Sequence, residues 1–400
     1  MHSLIRRSLR MPFSADSECD AATPIELDAS RNRGLRASAM VAALLLMSVH
    51  SHAESKFTDP EDGAFDLSNL LLTHRGVLPV PTLITEPAVG YGLGLGLLYF
   101  SLPKKSADAP DDSKAPPNIT GLGGFVTGTH SWGAGLMHFH TWDDDHIRYL
   151  GVIGKVGLHL NYYGIQNQPR AYQLDGIALV QQVLFRLGNS HWYVGPRYTF
   201  FDASTRFGPI IPEGIRRFEK DQRVAKGGVV VDYDTRDNMF YPSSGTYAEL
   251  EADLARGGLG SSTNFQEQTA RGYQWIPLSK SWVLGLRADT GFSQGNIPFF
   301  AQPYVSLRGV SDAKFQDSNQ LTAEAEIRWN VTPRWSVLGF GGVGKAYGHL
   351  HSFSDAPTAF GFGTGFRYLI ARKLGVTMGI DVAHGPGQNA FYVQVGSAWR

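Results

Sequence analysis

Thirteen histidines are the side chains in this chain best suited to metal or proton chemistry. His138 and His140 share one face of an alternating segment, and His349 and His351 form a second His-x-His pair. Two imidazoles do not close a zinc site, and no third ligand stands at a matching spacing, so no metal or other cofactor is expected. Gly90, Gly92, Gly94 and Gly96 spell a Gly-x-Gly motif. No helical pattern follows them, however, and they fall on one face of a strand rather than in a dinucleotide loop. The sequence has neither a Gly-x-Ser-x-Gly elbow nor a Gly-Lys-Ser/Thr phosphate loop, and Ser, His and Asp occur at no spacing that nominates a triad. No catalytic residue is assigned. The remaining chemistry is charge pairing: Arg287 and Asp289 in one run, and Glu324, Glu326 and Arg328 in another, all at alternate positions.

The elements that carry those charges alternate with period two. In Leu374–Ala383, Leu374, Val376, Met378, Ile380 and Val382 fall on one side, and Gly375, Thr377, Gly379, Asp381 and Ala383 on the other. Successive strand side chains point to opposite faces, so each run is a strand with one apolar and one polar or empty face. The first is read from Val89 to Tyr99. Others follow near 119–128, 131–142, 146–153, 155–165, 171–187, 191–202, 224–233, 246–256, 263–275 and 281–292. Beyond a long loop from Ser293 to Asn319 lie 320–330, 334–344, 359–370, 374–383 and 390–399, for a total of about sixteen. In the last run Phe391, Val393, Val395 and Trp399 are expected on the outer face. A soluble sandwich and a barrel in lipid share this alternation. An even strand number, aromatics at the strand ends and short turns alternating with longer loops favour the all-β transmembrane barrel.

Composition agrees. The chain has 46 glycines and 12% aromatics among its 400 residues, which suits many short strands better than helices. Its 36 basic residues balance 36 acidic ones, so nothing points to nucleic acid. Arg31, Arg33 and Arg36 precede an apolar stretch from Ala37 to Val49 and then Ser51-His52-Ala53, the order of a secretory signal peptide cut after Ala53. The only cysteine, Cys19, lies in that leader, so the exported part is free of thiols, as an oxidising compartment favours. The domain reading is therefore a removed leader and signal (1–53), a short periplasmic lead-in (54–85) and a barrel (86–400) in the cell outer membrane.

Three stretches resemble the barrel of the BamA/TamA family, the bacterial surface-antigen outer-membrane proteins. Asp234-Thr235-Arg236-Asp237-Asn238 with Tyr241-Pro242-Ser243-Ser244-Gly245 is similar to that family's periplasmic turn. Leu307-Arg308-Gly309-Val310 resembles its Val-Arg-Gly-Phe/Tyr loop signature, and Glu326 follows on the next strand. The resemblance implies a long loop folded back into the lumen, latched by Arg308 on an acid of the wall. Glu326 is the expected partner, because a guanidinium in a low-dielectric lumen needs a carboxylate. The sequence departs from the family at Gly342, where an acid is usual, and Glu324 or Asp289 are candidate substitutes. Gly396 and Trp399 resemble the terminal signal that the barrel-assembly machinery reads, with Arg400 following the aromatic. Residues 54–85 are too few for one of the family's periplasmic domains.

The resemblance implies insertion or translocation of protein or lipid at the outer membrane through a weak seam, with Gly90, Gly92, Gly94 and Gly96 weakening the first strand. The expected partners are outer-membrane lipid, the assembly machinery during biogenesis, and a client polypeptide or lipid. A passive pore for small solutes is the alternative reading, and an outer-membrane enzyme has the least support.

Overall fold

The computed structural model describes residues 57–73, 76–84, 89–102, 115–162, 170–208, 221–312 and 314–399. The leader, the signal peptide and Cys19 lie outside these residues. A short helix, α1 (Ser68–Thr73), precedes the strands. The first eight are β1 (Val77–Ile84), β2 (Gly92–Ser101), β3 (Asn118–Thr127), β4 (Trp132–Trp142), β5 (Ile147–Tyr162), β6 (Arg170–Arg186), β7 (Trp192–Phe207) and β8 (Asp221–Asp234). The other eight are β9 (Gly245–Ala255), β10 (Phe265–Pro277), β11 (Trp282–Gly295), β12 (Asn319–Asn330), β13 (Trp335–Tyr347), β14 (Thr358–Ala371), β15 (Val376–Gly385) and β16 (Gln388–Val395). All are antiparallel and pair in sequence order, which makes a sixteen-stranded meander curled into a nearly closed barrel. Among the described residues no backbone ladder joins β1 to β16, and a seam runs between them.

The count of sixteen agrees with the sequence reading only because two misreadings cancel. Residues 146–165 form one strand, β5, where two were read; Gly154 does not break it but pairs with Gly135 and Ala178 in register. The barrel also begins at Val77, upstream of the expected boundary at 86. Pro79 and Pro81 disguise β1, because proline inside a run argues against a strand unless the strand lies at an edge. Gly92, Gly94 and Gly96 consequently sit on β2, one strand in from the seam.

Side-chain parity is that of a barrel in lipid. On β12, Thr322, Glu324, Glu326 and Arg328 are buried inside, while Leu321, Ile327 and Trp329 are exposed outside. Trp142, Trp192, Trp282, Trp329 and Trp335 all lie exposed at the end of the barrel that carries the β4–β5, β6–β7, β10–β11 and β12–β13 turns. Trp282 stacks on Trp329 with centroids 5.8 Å apart, as expected of an interfacial aromatic girdle. Trp132 marks the opposite end of β4.

The segment before β1 is anchored to this turn end. Arg334, in the β12–β13 turn, pairs with Asp59 at 2.5 Å, Asp62 at 2.6 Å and Asp66 at 2.5 Å. Arg372, between β14 and β15, pairs with Asp59 at 2.8 Å and Glu61 at 2.5 Å. Hydrogen bonding to Arg334 holds the Asp62 carboxyl down at about 2. Burial opposes ionisation of Asp66, but bonds from Arg334, Ser68 and the Arg372 N–H outweigh it and keep its pKa low. Leu71 of α1 is wholly buried in an apolar cluster with Leu78 of β1, Phe100 of β2, Ile119 of β3, and Ile370, Leu374 and Val376 of the β14–β15 region. Residues 57–73 therefore span both sides of the seam.

Candidate functional site: a luminal latch and its anchors

The loop between β11 and β12 runs back into the barrel. Phe299 packs on Tyr172 and Phe207 of the wall, and Val305, Leu307 and Val310 pack with Ala346 and Ala359. These contacts bring Arg308, with 7% of its side chain exposed, onto three carboxylates. Its Nη2 lies 2.5 Å from Glu324 and 2.8 Å from Glu326, and its Nη1 lies 3.0 Å from Asp381. The guanidinium also lies 3.4 Å from the ring centroid of Phe340, a cation–π contact strengthened by desolvation. Arg367 binds the same Asp381 through both oxygens, at 2.6 and 2.9 Å. Arg287 reaches Glu324 at 3.2 Å. Opposite charges thus alternate through the cluster, which is what makes burying them tolerable.

Glu326 lies within ion-pair distance of Arg308, and Glu324 and Asp381 do so as well. Asp289 instead pairs with Arg287. Gly342 has a steric explanation: a Cβ there would stand 2.7 Å from Leu307 Cδ2 and 2.7 Å from the Ala323 carbonyl oxygen. The space that an acid would fill is occupied by the loop, and Asp381, two strands along, supplies a carboxylate. Gly309 has φ +88°, and its N–H donates to the Tyr392 hydroxyl at 3.0 Å. The Gln388 side chain donates to its carbonyl at 3.1 Å. Tyr392 and Gln388 belong to β16, so the loop is tied to the strand beside the seam.

The β8–β9 connection at Asp234–Gly245 is a bracing element rather than a simple tight turn. Asp234 takes Arg148 at 2.9 Å and Arg236 at 2.8 Å. Asp237 accepts the Ser243 N–H at 2.9 Å. Asn238 accepts the N–H groups of Phe240 and Tyr241, and its amide donates to the Leu374 carbonyl at 3.1 Å. The Pro242 carbonyl receives Arg328 of β12 at 2.8 Å. Gly245 closes the turn at φ +103°, where a Cβ would stand 2.2 Å from the Thr235 carbonyl oxygen. Phe240 packs edge-on against Phe100 of β2, with centroids 6.0 Å apart. The turn therefore reaches from β8–β9 to the strands flanking the seam.

Trp399 overturns the expectation that the final run continues outward. β16 ends at Val395, and Gly396 turns the chain at φ +77°. The Ser397 N–H then donates to the Phe240 carbonyl at 2.5 Å. Trp399 ends up 4% exposed among Tyr247, Tyr273 and Trp275. Its indole N–H donates to Glu324 at 3.2 Å. A Cβ at Gly285 would stand 2.7 Å from the Trp399 ring, so that glycine makes room for it. Sequence reasoning missed Asp381, Arg367, Tyr392 and this inward turn. For Asp381 the signal was present, since parity had set it on the polar face.

Comparison with known proteins bears on the reading. Residues 155–399 match the Omp85 superfamily domain. The fold is similar to BamA from Haemophilus ducreyi lacking POTRA domains 1-3, with TM-score 0.53 and 12% identity over 79% of this chain and 69% of that one. It is also similar to CdiB from Acinetobacter baumannii (TM-score 0.50, 10% identity, 79% of this chain and 58% of that one). CdiB from Escherichia coli gives TM-score 0.52 and 9% identity, over 79% and 62%. At these identities the likeness is one of fold, and the chain spans less than two thirds of either CdiB. No curated protein sequence matches the chain.

Proposed function

This chain belongs to the Omp85 superfamily, as an outer-membrane β-barrel, and on that premise we propose that it inserts or translocates protein, or lipid, at the outer membrane. The observation that carries the reading is the pairing of a filled lumen with a wall whose first and last strands share no ladder among the described residues. Arg308 holds a loop inside the barrel on three carboxylates, while β1 and β16 lie side by side without a ladder among the described residues. A passive pore works best with the reverse arrangement, an open lumen and a sealed wall.

The geometry also supports coupling between the two. The Gly309 N–H is bound by Tyr392 of β16, so withdrawal of the loop frees the strand that borders the seam. A widened seam offers backbone groups to an incoming strand, or a locally thinned bilayer to a lipid. Partners on this reading are outer-membrane lipid, a client polypeptide or lipid, and the barrel-assembly machinery during the protein's own biogenesis. The short turns would face the periplasm.

Planar-bilayer recording of the purified protein tests the reading. The unsubstituted protein should be mostly closed with brief flickers, and Arg308→Ala should open it for longer. A large, steady conductance before any substitution would replace this reading with that of a passive pore.

A further inference from the structure

We propose that the turn end of the barrel carries a binding site for a phosphate group, built on Arg328, Tyr241 and Thr377. The site goes beyond the insertion reading above and does not depend on it.

Arg328 lies on the inner face of β12 and is 3% exposed. Its Nη2 donates to the Pro242 carbonyl and to the Ser243 hydroxyl, both at 2.8 Å. Its guanidinium lies 4.0 Å from the ring centroid of Tyr241. These partners are all neutral. Arg197, Arg287, Arg308 and Arg367, also turned inward, each pair with an acid, whereas Arg328 has no ion pair among the described residues. A buried cation without a matching charge is costly. Its Nε is buried without a hydrogen-bond partner as well, and an arginine N–H can only donate.

The buried hydroxyls of Tyr241 and Thr377 are likewise without a hydrogen-bond partner. All three residues line one cavity of about 490 Å³, and they reach it from three elements, the β8–β9 turn, β12 and β15. Ser336, beside the Tyr241 hydroxyl, donates its own hydroxyl to Asn330 at 2.9 Å. Lys280 of the β10–β11 turn stands exposed at the rim. Asp237, the one carboxylate of the lining, accepts the Ser243 N–H, and Arg334 is matched by the acids at 59, 62 and 66.

A group that completes this cavity has to accept hydrogen bonds and carry negative charge. Donors arriving from three elements fit a tetrahedral oxyanion better than a flat carboxylate, and arginine is a preferred partner of phosphate oxygens. The cavity is larger than a phosphate alone, which leaves space for the glycerol or sugar that a headgroup phosphate carries.

The test is equilibrium dialysis of the purified full chain against radiolabelled inorganic phosphate. About one phosphate should be retained per chain, held by charge-assisted bonds. Tyr241→Phe combined with Thr377→Val removes two hydroxyls that bond nothing in the protein and keeps the ring under Arg328. Its unfolding midpoint in phosphate-free buffer should therefore be unchanged or higher, while its phosphate affinity should fall about ten-fold or more. Dihexanoyl phosphatidylglycerol identifies the source: displacement of the label assigns the site to an esterified headgroup phosphate, and its failure to displace assigns it to the free ion. Equal retention by the variant and the unsubstituted chain, or retention by neither, overturns the inference. A lowered midpoint of the variant overturns it too, since the two hydroxyls would then already be bonded within the protein.

Discussion

At the scale of single residues, Glu324 is the point on which the lumen depends. It binds Arg308, Arg287 and the indole of Trp399, whereas Glu326 pairs with Arg308. Removing one member of a buried ion pair strands the other, at about 3–5 kcal/mol, and luminal water lowers that figure. Arg308→Ala takes a cation from three acids at once, of which Glu324 keeps Arg287 and Asp381 keeps Arg367, so it should destabilise more than Glu326→Ala. It should also raise protease cleavage at residues 300–312; equal effects of the two substitutions would show that Glu324 and Asp381 contribute little. Arg308→Ala combined with Glu324→Ala should fall short of the sum of the single changes, because residues in one network do not add. Gly342→Asp restores the acid that family resemblance leads one to expect, yet it should loosen the loop, because its Cβ meets Leu307 at 2.7 Å. Overpacking of this kind costs about 1–3 kcal/mol. Pairing it with Leu307→Ala should recover part of the loss, read as the detergent unfolding midpoint.

At the scale of elements, period-two patterning carried most of the fold, and its failures have physical causes. The inward acids of β12 were legible because Glu324 and Glu326 alternate with Leu321, Ala323, Ala325 and Ile327. β1 was not, because its two prolines look like a turn. The inward path of Trp399 was hidden because alternation cannot report that Gly396 adopts φ +77°. The acids at 59–66 resemble a solvated loop until Arg334 and Arg372, remote in sequence, are brought to them. Met378, mid-run in the sequence reading, packs against the Leu71 cluster near the start of β15, so it reports on α1 rather than on the bilayer. Leu250, 56% exposed at the centre of β9, is the better probe of the lipid face. Leu250→Arg should destabilise by about 2–4 kcal/mol, and an unchanged midpoint in lipid would refute the outward assignment. For the N-terminal segment, the folded-state pKa of Asp62, about 2, lies below its ordinary 3.8. Its contribution is therefore present above about 3.8 and lost as pH falls toward 2. Proteolysis of residues 57–73 should be flat from neutral pH to 5 and rise below 4, and Arg334→Ala should make the segment labile at every pH.

At the scale of the whole molecule, cross-members bridge the seam where, among the described residues, no ladder joins β1 to β16. Residues 57–73 tie the β12–β13 and β14–β15 turns to the strands beyond the seam. The β8–β9 turn reaches the same strands from across the mouth, and the luminal loop holds β16 from inside. Glu324 carries one further implication, which concerns timing. The loop bearing Arg308 lies well before Asp381 and Trp399 in the chain, yet all three meet on connected carboxylates. Until residues 381–399 have joined the barrel and folded inward, Arg308 lacks one acid and Glu324 lacks its indole. A chain cut before Gly396 keeps the three acids of Arg308 and the Tyr392 hydroxyl on Gly309 but loses the indole on Glu324, so its plug should hold less firmly and its closed periods in planar bilayers should shorten.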